Sequence, residues 1–94
     1  MAYLLVAVKV KDYSKWKPMF EEFSATRKEY GSKGGRLFRN ADKPNEPVIL
    51  YEWEIIEKAR KFTQAEDVIK TMEGAGVIGM PEFYFLEEVE QVSG

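Results

Sequence analysis

The chain opens on Ala2–Val10, a run of aliphatic and β-branched residues too short to establish a helical period, which predicts a strand. Leu4, Val6, Val8 and Val10 fall on one face, and Tyr3, Leu5, Ala7 and Lys9 on the other. Both faces are largely apolar, the pattern of a strand covered on both sides. Past Asp12-Tyr13-Ser14, which offers N-cap residues, the spacing of apolar positions changes to three and four. Trp16, Met19, Phe20, Phe23, Arg27 and Tyr30 form one stripe, separated by Lys15, Lys17, Glu21, Glu22, Lys28 and Glu29. This is an amphipathic helix. Pro18 suits its first turn, placing the start between Ser14 and Trp16, and Gly31 is expected to end it.

Gly34-Gly35 is expected to open a second strand over Arg36–Asn40. The Asp-, Asn- and Pro-rich stretch from Ala41 to Pro47 predicts a turn, and Val48–Glu54 a third strand, completing a hairpin. In that third strand Val48, Leu50 and Glu52 oppose Ile49, Tyr51 and Trp53. Helical spacing returns over Ile55–Met72, with Ile56, Ala59, Phe62, Val68, Ile69 and Met72 facing inward. Thr63-Gln64-Ala65-Glu66 matches a capping box, so a break is expected there. Gly74–Pro81 reads as a loop and Glu82–Val92 as the last strand, alternating Phe83 and Phe85 against Tyr84 and Leu86.

The order β-α-β-β-α-β predicts an α+β, ferredoxin-like domain over residues 1–94, a four-stranded antiparallel sheet with two helices on one face. Two helices cover only one face of such a sheet. The other, expected to include Tyr51 and Trp53 or their neighbours, would leave an oversized apolar patch. A second copy is the simplest cover, so a homodimer is expected, its two sheets paired into an α/β barrel.

Composition narrows the chemistry. With no cysteine and no histidine among 94 residues, thiolate nucleophiles, disulfides, thiolate metal sites and imidazole bases are excluded. The net charge is −2, but residues 1–43 carry ten Lys/Arg against five Asp/Glu, and residues 44–94 four against eleven. Mostly this solvates surfaces, while a basic rim at Lys33, Arg36 and Arg39 is a candidate for holding an anion. An acidic chain lacking the basic-aromatic run of RNA-binding sheets is not expected to bind nucleic acid. No apolar run approaches a membrane span, and no basic leader precedes the first strand, so a soluble, cytoplasmic protein is expected.

Gly74-Ala75-Gly76-Val77-Ile78-Gly79 spells G-x-G-x-x-G but follows a helix and precedes a strand, the reverse of the dinucleotide context. Glu82, Glu87, Glu88 and Glu90 read as a solvated strand end, and no metal site is expected. Glu52 interrupts an apolar face and calls for a partner, for which Arg36 or Arg39 is available. Thirteen aromatic residues fill most of a core, yet such domains can keep a cavity between sheet and helices where a flat ligand sits.

Tyr3–Val10, Asp12–Phe20, Gly34–Asn40, Leu50-Tyr51-Glu52-Trp53 and Glu82–Glu87 together resemble the dimeric α/β-barrel superfamily, in particular the antibiotic biosynthesis monooxygenases. The resemblance spans nearly the whole chain and implies a ligand cavity between helices and sheet in each subunit. It also implies relatives that oxidise aromatic polyketides with O₂ without a cofactor, relatives that degrade haem, and cyclases. Asn40 and Trp53 match two of the three residue types that haem-degrading members use, but the required histidine is absent. For a monooxygenase-like site, the candidate catalytic residues are Arg36, Tyr51 and Glu52, and the candidate pocket residues Trp16, Phe20, Phe38, Asn40, Trp53 and Tyr84. Arg36 or Arg39 would hold an enolate, with Tyr51 or Tyr84 donating a hydrogen bond. The rival reading is a non-catalytic binding or structural dimer whose aromatics close the core.

Overall fold

A computed structural model describes all residues from 1 to 94. Its elements are β1 (Ala2–Val10), α1 (Tyr13–Glu22), α2 (Ser24–Tyr30), β2 (Ser32–Arg39), β3 (Pro47–Trp53), α3 (Ile56–Gln64), α4 (Glu66–Gly74) and β4 (Val77–Glu87). The sheet order is β2-β3-β1-β4 with every pair antiparallel, the ferredoxin-like arrangement. Each expected helix is present but divided in two.

Asp12 caps α1. Its carboxylate accepts the Ser14 backbone N–H at 2.9 Å and the Ser14 hydroxyl at 2.6 Å. The helix therefore starts at Tyr13, and Pro18 lies in its second turn, not its first. At Phe23 the backbone leaves the helical region (φ −78°, ψ 0°), and α2 runs on to Gly31, whose φ of 117° closes the helix. The hydrogen bonds from Ser14 hold the Asp12 carboxyl below its ordinary range. Because its folded pKa is depressed, the stabilisation is complete above the unfolded value and fades as pH falls through the folded one. Asp12→Ala is expected to lower the melting temperature at neutral pH and to leave it nearly unchanged in strong acid, readable by circular dichroism.

Ala65 is extended (φ −69°, ψ 131°) and separates α3 from α4. The break falls where the capping-box pattern places it, but the box does not form, since the Thr63 hydroxyl donates to the Arg60 carbonyl at 2.8 Å. Restarting after an extended residue rotates the helical phase. Val68 is buried, while Ile69 turns outward and is 42% exposed, against expectation.

The strands are longer at their glycine-rich ends than the sequence predicts. β2 starts at Ser32, and one extra residue bulges between the Ser32–Trp53 and Gly35–Tyr51 pairings. Gly35 is there because nothing larger fits: a Cβ would lie 2.0 Å from the Leu50 carbonyl oxygen. β4 starts at Val77 and stops at Glu87, so residues 88–92 lie outside it. Its pairing shifts by two residues between Ala7–Glu82 and Lys9–Ile78, and that bulge takes up Gly79 and Pro81.

Register fixes which side chains meet the helices. Leu4, Val6, Val8, Ile49, Tyr51 and Trp53 are buried beneath α1–α4, together with Trp16, Ala59, Phe62 and Val68. Tyr51 and Trp53 thus belong to the covered face, correcting the expectation that they lie on the open one. The open face carries Tyr3, Leu5 and Ala7 between Val48, Leu50 and Glu52 on one side and Glu82, Tyr84 and Leu86 on the other, with Arg36 and Phe38 beyond. Only 14 of 94 residues are buried, and none of them is on this face, so the apolar centre of the open sheet has no cover within the chain.

Candidate functional site

Where α1, α2 and α4 cross the covered face they leave a small gap. Val6, Val8, Ile49 and Tyr51 form its floor, and Trp16, Met19, Phe20, Phe23, Phe62, Val68 and Met72 its walls. The amphipathic stripe of α1 dictates this, because residues spaced three and four apart must share one side. Trp16 and Phe20 stack at 4.8 Å, and Phe62 meets the Tyr51 ring edge-on at 6.2 Å. These side chains reduce the cavity to about 60 Å³. Ligand pockets usually begin at roughly 300 Å³, so no whole ring system enters in this conformation.

Three polar side chains reach the gap. Thr71 is occupied, its hydroxyl donating to the Asp67 carbonyl at 2.8 Å. The other two are Tyr51 and Arg27. Burial pushes the Tyr51 phenol up to about 12, with Arg27 pulling slightly against it, so Tyr51 remains a proton donor at neutral pH. Arg27 is half-buried, and desolvation lowers its pKa from the ordinary arginine value. One guanidinium nitrogen, Nη1, donates to the Phe20 carbonyl at 2.6 Å across the break between α1 and α2. The guanidinium also lies over the Phe20 ring at 4.1 Å and 5.9 Å from the Tyr51 ring centre. No carboxylate pairs with it.

The same four residues, Phe20, Arg27, Ile49 and Tyr51, also border an open groove of about 560 Å³ between α2 and β2. The cavity and the groove therefore share a wall, with Arg27 and Tyr51 at the junction. Along the rest of the groove are Lys28, Lys33, Arg36, Ser32 and the bare backbone of Gly34 and Gly35.

Of the residues singled out by sequence, the fold brings Trp16, Phe20 and Tyr51 to the cavity and Arg36 to the groove. The others lie elsewhere. Trp53 is fully buried against Phe62 at 5.3 Å, outside the cavity lining, and its indole N–H has no acceptor. Phe38 and Tyr84 are about half exposed on the open face, and the Tyr84 hydroxyl donates to Glu82 at 2.8 Å. Asn40 follows β2, and its side chain accepts the amides of Asp42 and Lys43, so it shapes the hairpin turn. Glu52 lies half-buried on the open face opposite Tyr3 and forms no ion pair with Arg36 or Arg39. Arg36 and Arg39 are an odd number apart on one strand and so project to opposite faces, and Arg39 rests over the Tyr13 ring at 4.7 Å. Sequence spacing presents Arg27 only as one member of the helical stripe from Trp16 to Tyr30. The signal was its charge, since a cation in a stripe of Trp16, Phe20 and Phe23 must reach the same side as they do.

No family model matches the chain, and no curated protein does. Solved structures do match. One described as an antibiotic biosynthesis monooxygenase superposes with a TM-score of 0.73 at 17% identity, covering 96% of this chain and 100% of its own. A candidate antibiotic biosynthesis monooxygenase from Bordetella bronchiseptica gives a TM-score of 0.80 at 15% identity over 95% and 97% of the two chains. SnoaB, a cofactor-independent oxygenase from Streptomyces nogalater, gives 0.77 at 14% identity over 99% and 97%. The chain has the ferredoxin-like fold of the antibiotic biosynthesis monooxygenases. At these identities the likeness is one of fold. No helix is long and apolar enough to cross a membrane.

Proposed function

We propose that the chain is a homodimeric small-molecule-binding protein that oxidises small hydroxylated aromatics with O₂, as a cofactor-independent oxygenase. The observation that carries this reading is the pairing of Arg27, which has no carboxylate partner, with the protonated Tyr51 phenol where an apolar cavity meets an open groove. The fold likeness to SnoaB supports it. In the groove a phenol ring lies against Phe20 with its oxygen at the junction. Tyr51 donates to the phenolate oxygen, the positive field of Arg27 beside it favours the anion, and the proton leaves to water in the groove. A ring carbon of the phenolate bonds to O₂ to give a hydroperoxide, which expels water and leaves a quinone carbonyl. One phenol and one O₂ yield one quinone and one water, every electron coming from the ligand.

Neither space is lined by a carboxylate or an imidazole, so this chain offers no conventional general base. Oxygen uptake is therefore expected to rise with pH through one ionisation, that of the bound phenol, and to shift when a more acidic phenol is used. Tyr51 does not titrate until about 12 and adds no second limb in the usual range. Tyr51→Phe is expected to lower kcat about a hundredfold or more, as loss of a donor to a developing oxyanion does. An oxygen electrode reads both. A bell-shaped profile whose acid limb ignores the phenol used would contradict the mechanism.

The cavity of about 60 Å³ favours one rival, a structural dimer with a closed core. In that case hydroquinones and naphthols elicit no oxygen uptake, and Tyr51→Phe changes only stability.

The homodimer is proposed from the open face, where Leu5, Leu50 and Val48 stand at the centre of an apolar sheet that no helix covers. A second copy meeting it about a two-fold axis buries the same residues on both sides.

A further inference from the structure

We propose that the groove between α2 and the edge strand β2 is an anion subsite, and that its ligand class is a single aromatic ring bearing a carboxylate, seated where the groove meets the cavity. The inference rests on the ring-binding reading above and adds the charge the ligand must carry. Four cations, Arg27, Lys28, Lys33 and Arg36, border the groove and no Asp or Glu does, in a protein where acids outnumber bases by 16 to 14. Only Lys33 has a carboxylate within ion-pair distance, Glu54 at 3.5 Å, and both are exposed. Arg27, Lys28 and Arg36 pair with none. A local excess of one sign, set beside apolar walls, concentrates ligands of the opposite sign.

Arg27 is the group around which a carboxylate would be organised. It is half-buried, and of its five donors only the contact to the Phe20 carbonyl is used. A planar fork with free donors matches a carboxylate, two bonds at once. The two volumes set the rest of the ligand. The cavity of about 60 Å³ cannot take a ring, while the groove of about 560 Å³ can. The β2 side of that groove is open at Gly34, where even an added Cβ would meet nothing within 4 Å. The ring therefore lies at the junction against Phe20 and Tyr51, with its carboxylate on Arg27, Lys28 supplying the field beside it, and Arg36 standing at the groove's rim on the edge strand, its side chain directed to the open face.

Calorimetric titration with 4-hydroxybenzoate, phenol and inorganic phosphate tests this on three proteins: wild type, Arg27→Gln, and a Lys28→Gln/Arg36→Gln double variant altered only at exposed positions. The wild type is expected to bind 4-hydroxybenzoate at least tenfold more tightly than either phenol or phosphate. Arg27→Gln is expected to remove about that factor for 4-hydroxybenzoate and to weaken neutral phenol far less, since phenol offers the guanidinium no charge. The double variant should lose severalfold and show a flatter dependence on salt. Equal binding of phenol and 4-hydroxybenzoate, with no variant altering either, would overturn the anion subsite and leave the ring reading standing. Equal binding of phosphate and 4-hydroxybenzoate, lost together in Arg27→Gln, would make the groove a site for free anions and overturn the aromatic class. Binding of none of the three would overturn both readings.

Discussion

Leu5→Asp is expected to leave a folded monomer. Leu5 sits mid-strand in β1, paired with Leu50 on one side and Tyr84 on the other, at the centre of the open face. In a two-fold dimer of sheets this position is dry, and each copy would bury one unpaired carboxylate. Leaving a charge buried without a partner costs roughly 3 kcal/mol or more, incurred twice by symmetry. That corresponds to about four powers of ten in the dimer dissociation constant. The fold of the single chain is spared, because every residue buried within it lies off this face. Sedimentation velocity reads the mass, and circular dichroism the retained fold. A Leu5→Asp protein that still sediments as a dimer would remove the open face as the interface.

Gly35→Ala is expected to be the most destabilising single-methyl addition in the chain. The new Cβ would stand 2.0 Å from the Leu50 carbonyl oxygen and 2.8 Å from the Tyr51 Cα, both backbone atoms of β3 that cannot swing aside. Relief requires β2 to part from β3 at the bulge, at a cost of about 3 kcal/mol or more. Gly74→Ala is the control: it lies in α4 with nothing within 4 Å of the added carbon and is expected to be neutral or slightly stabilising. Urea denaturation separates the two. Because Gly35 pairs with Tyr51 across the bulge, any Gly35→Ala protein that folds should also carry a displaced Tyr51 hydroxyl and a weakened site.

The fold was legible because its signals were local. Two-sided apolarity in β1, the three-four stripe of α1 and the turn chemistry before Pro47 each follow from short-range spacing. The break at Phe23, the change of helical phase after Ala65 and the early start of β4 were less so. They depend on bulges and on a change of helical phase that only neighbouring strands impose. The site was legible in part. Strand alternation put Tyr51 and Trp53 on one face of β3, but which face meets the helices is a tertiary matter. Arg36 and Glu52 were matched by charge, although the register places Leu50 opposite Arg36 and Tyr3 opposite Glu52. Asn40 and Tyr84 drew notice by residue type, and both have local partners that occupy them. Arg27 had the most informative position, a lone cation within an apolar stripe, and its meaning emerged only with the cavity beside it.

The position of a bound aromatic ligand is the most direct test of the proposed site. Isotope-filtered NMR on the labelled protein with unlabelled 4-hydroxybenzoate measures this directly, through contacts between ligand ring protons and protein side chains. Contacts are expected to Phe20, Tyr51 and Ile49, which with Arg27 are shared by cavity and groove. Contacts confined to Leu5, Leu50 and Tyr84 on the open face would contradict the proposed site.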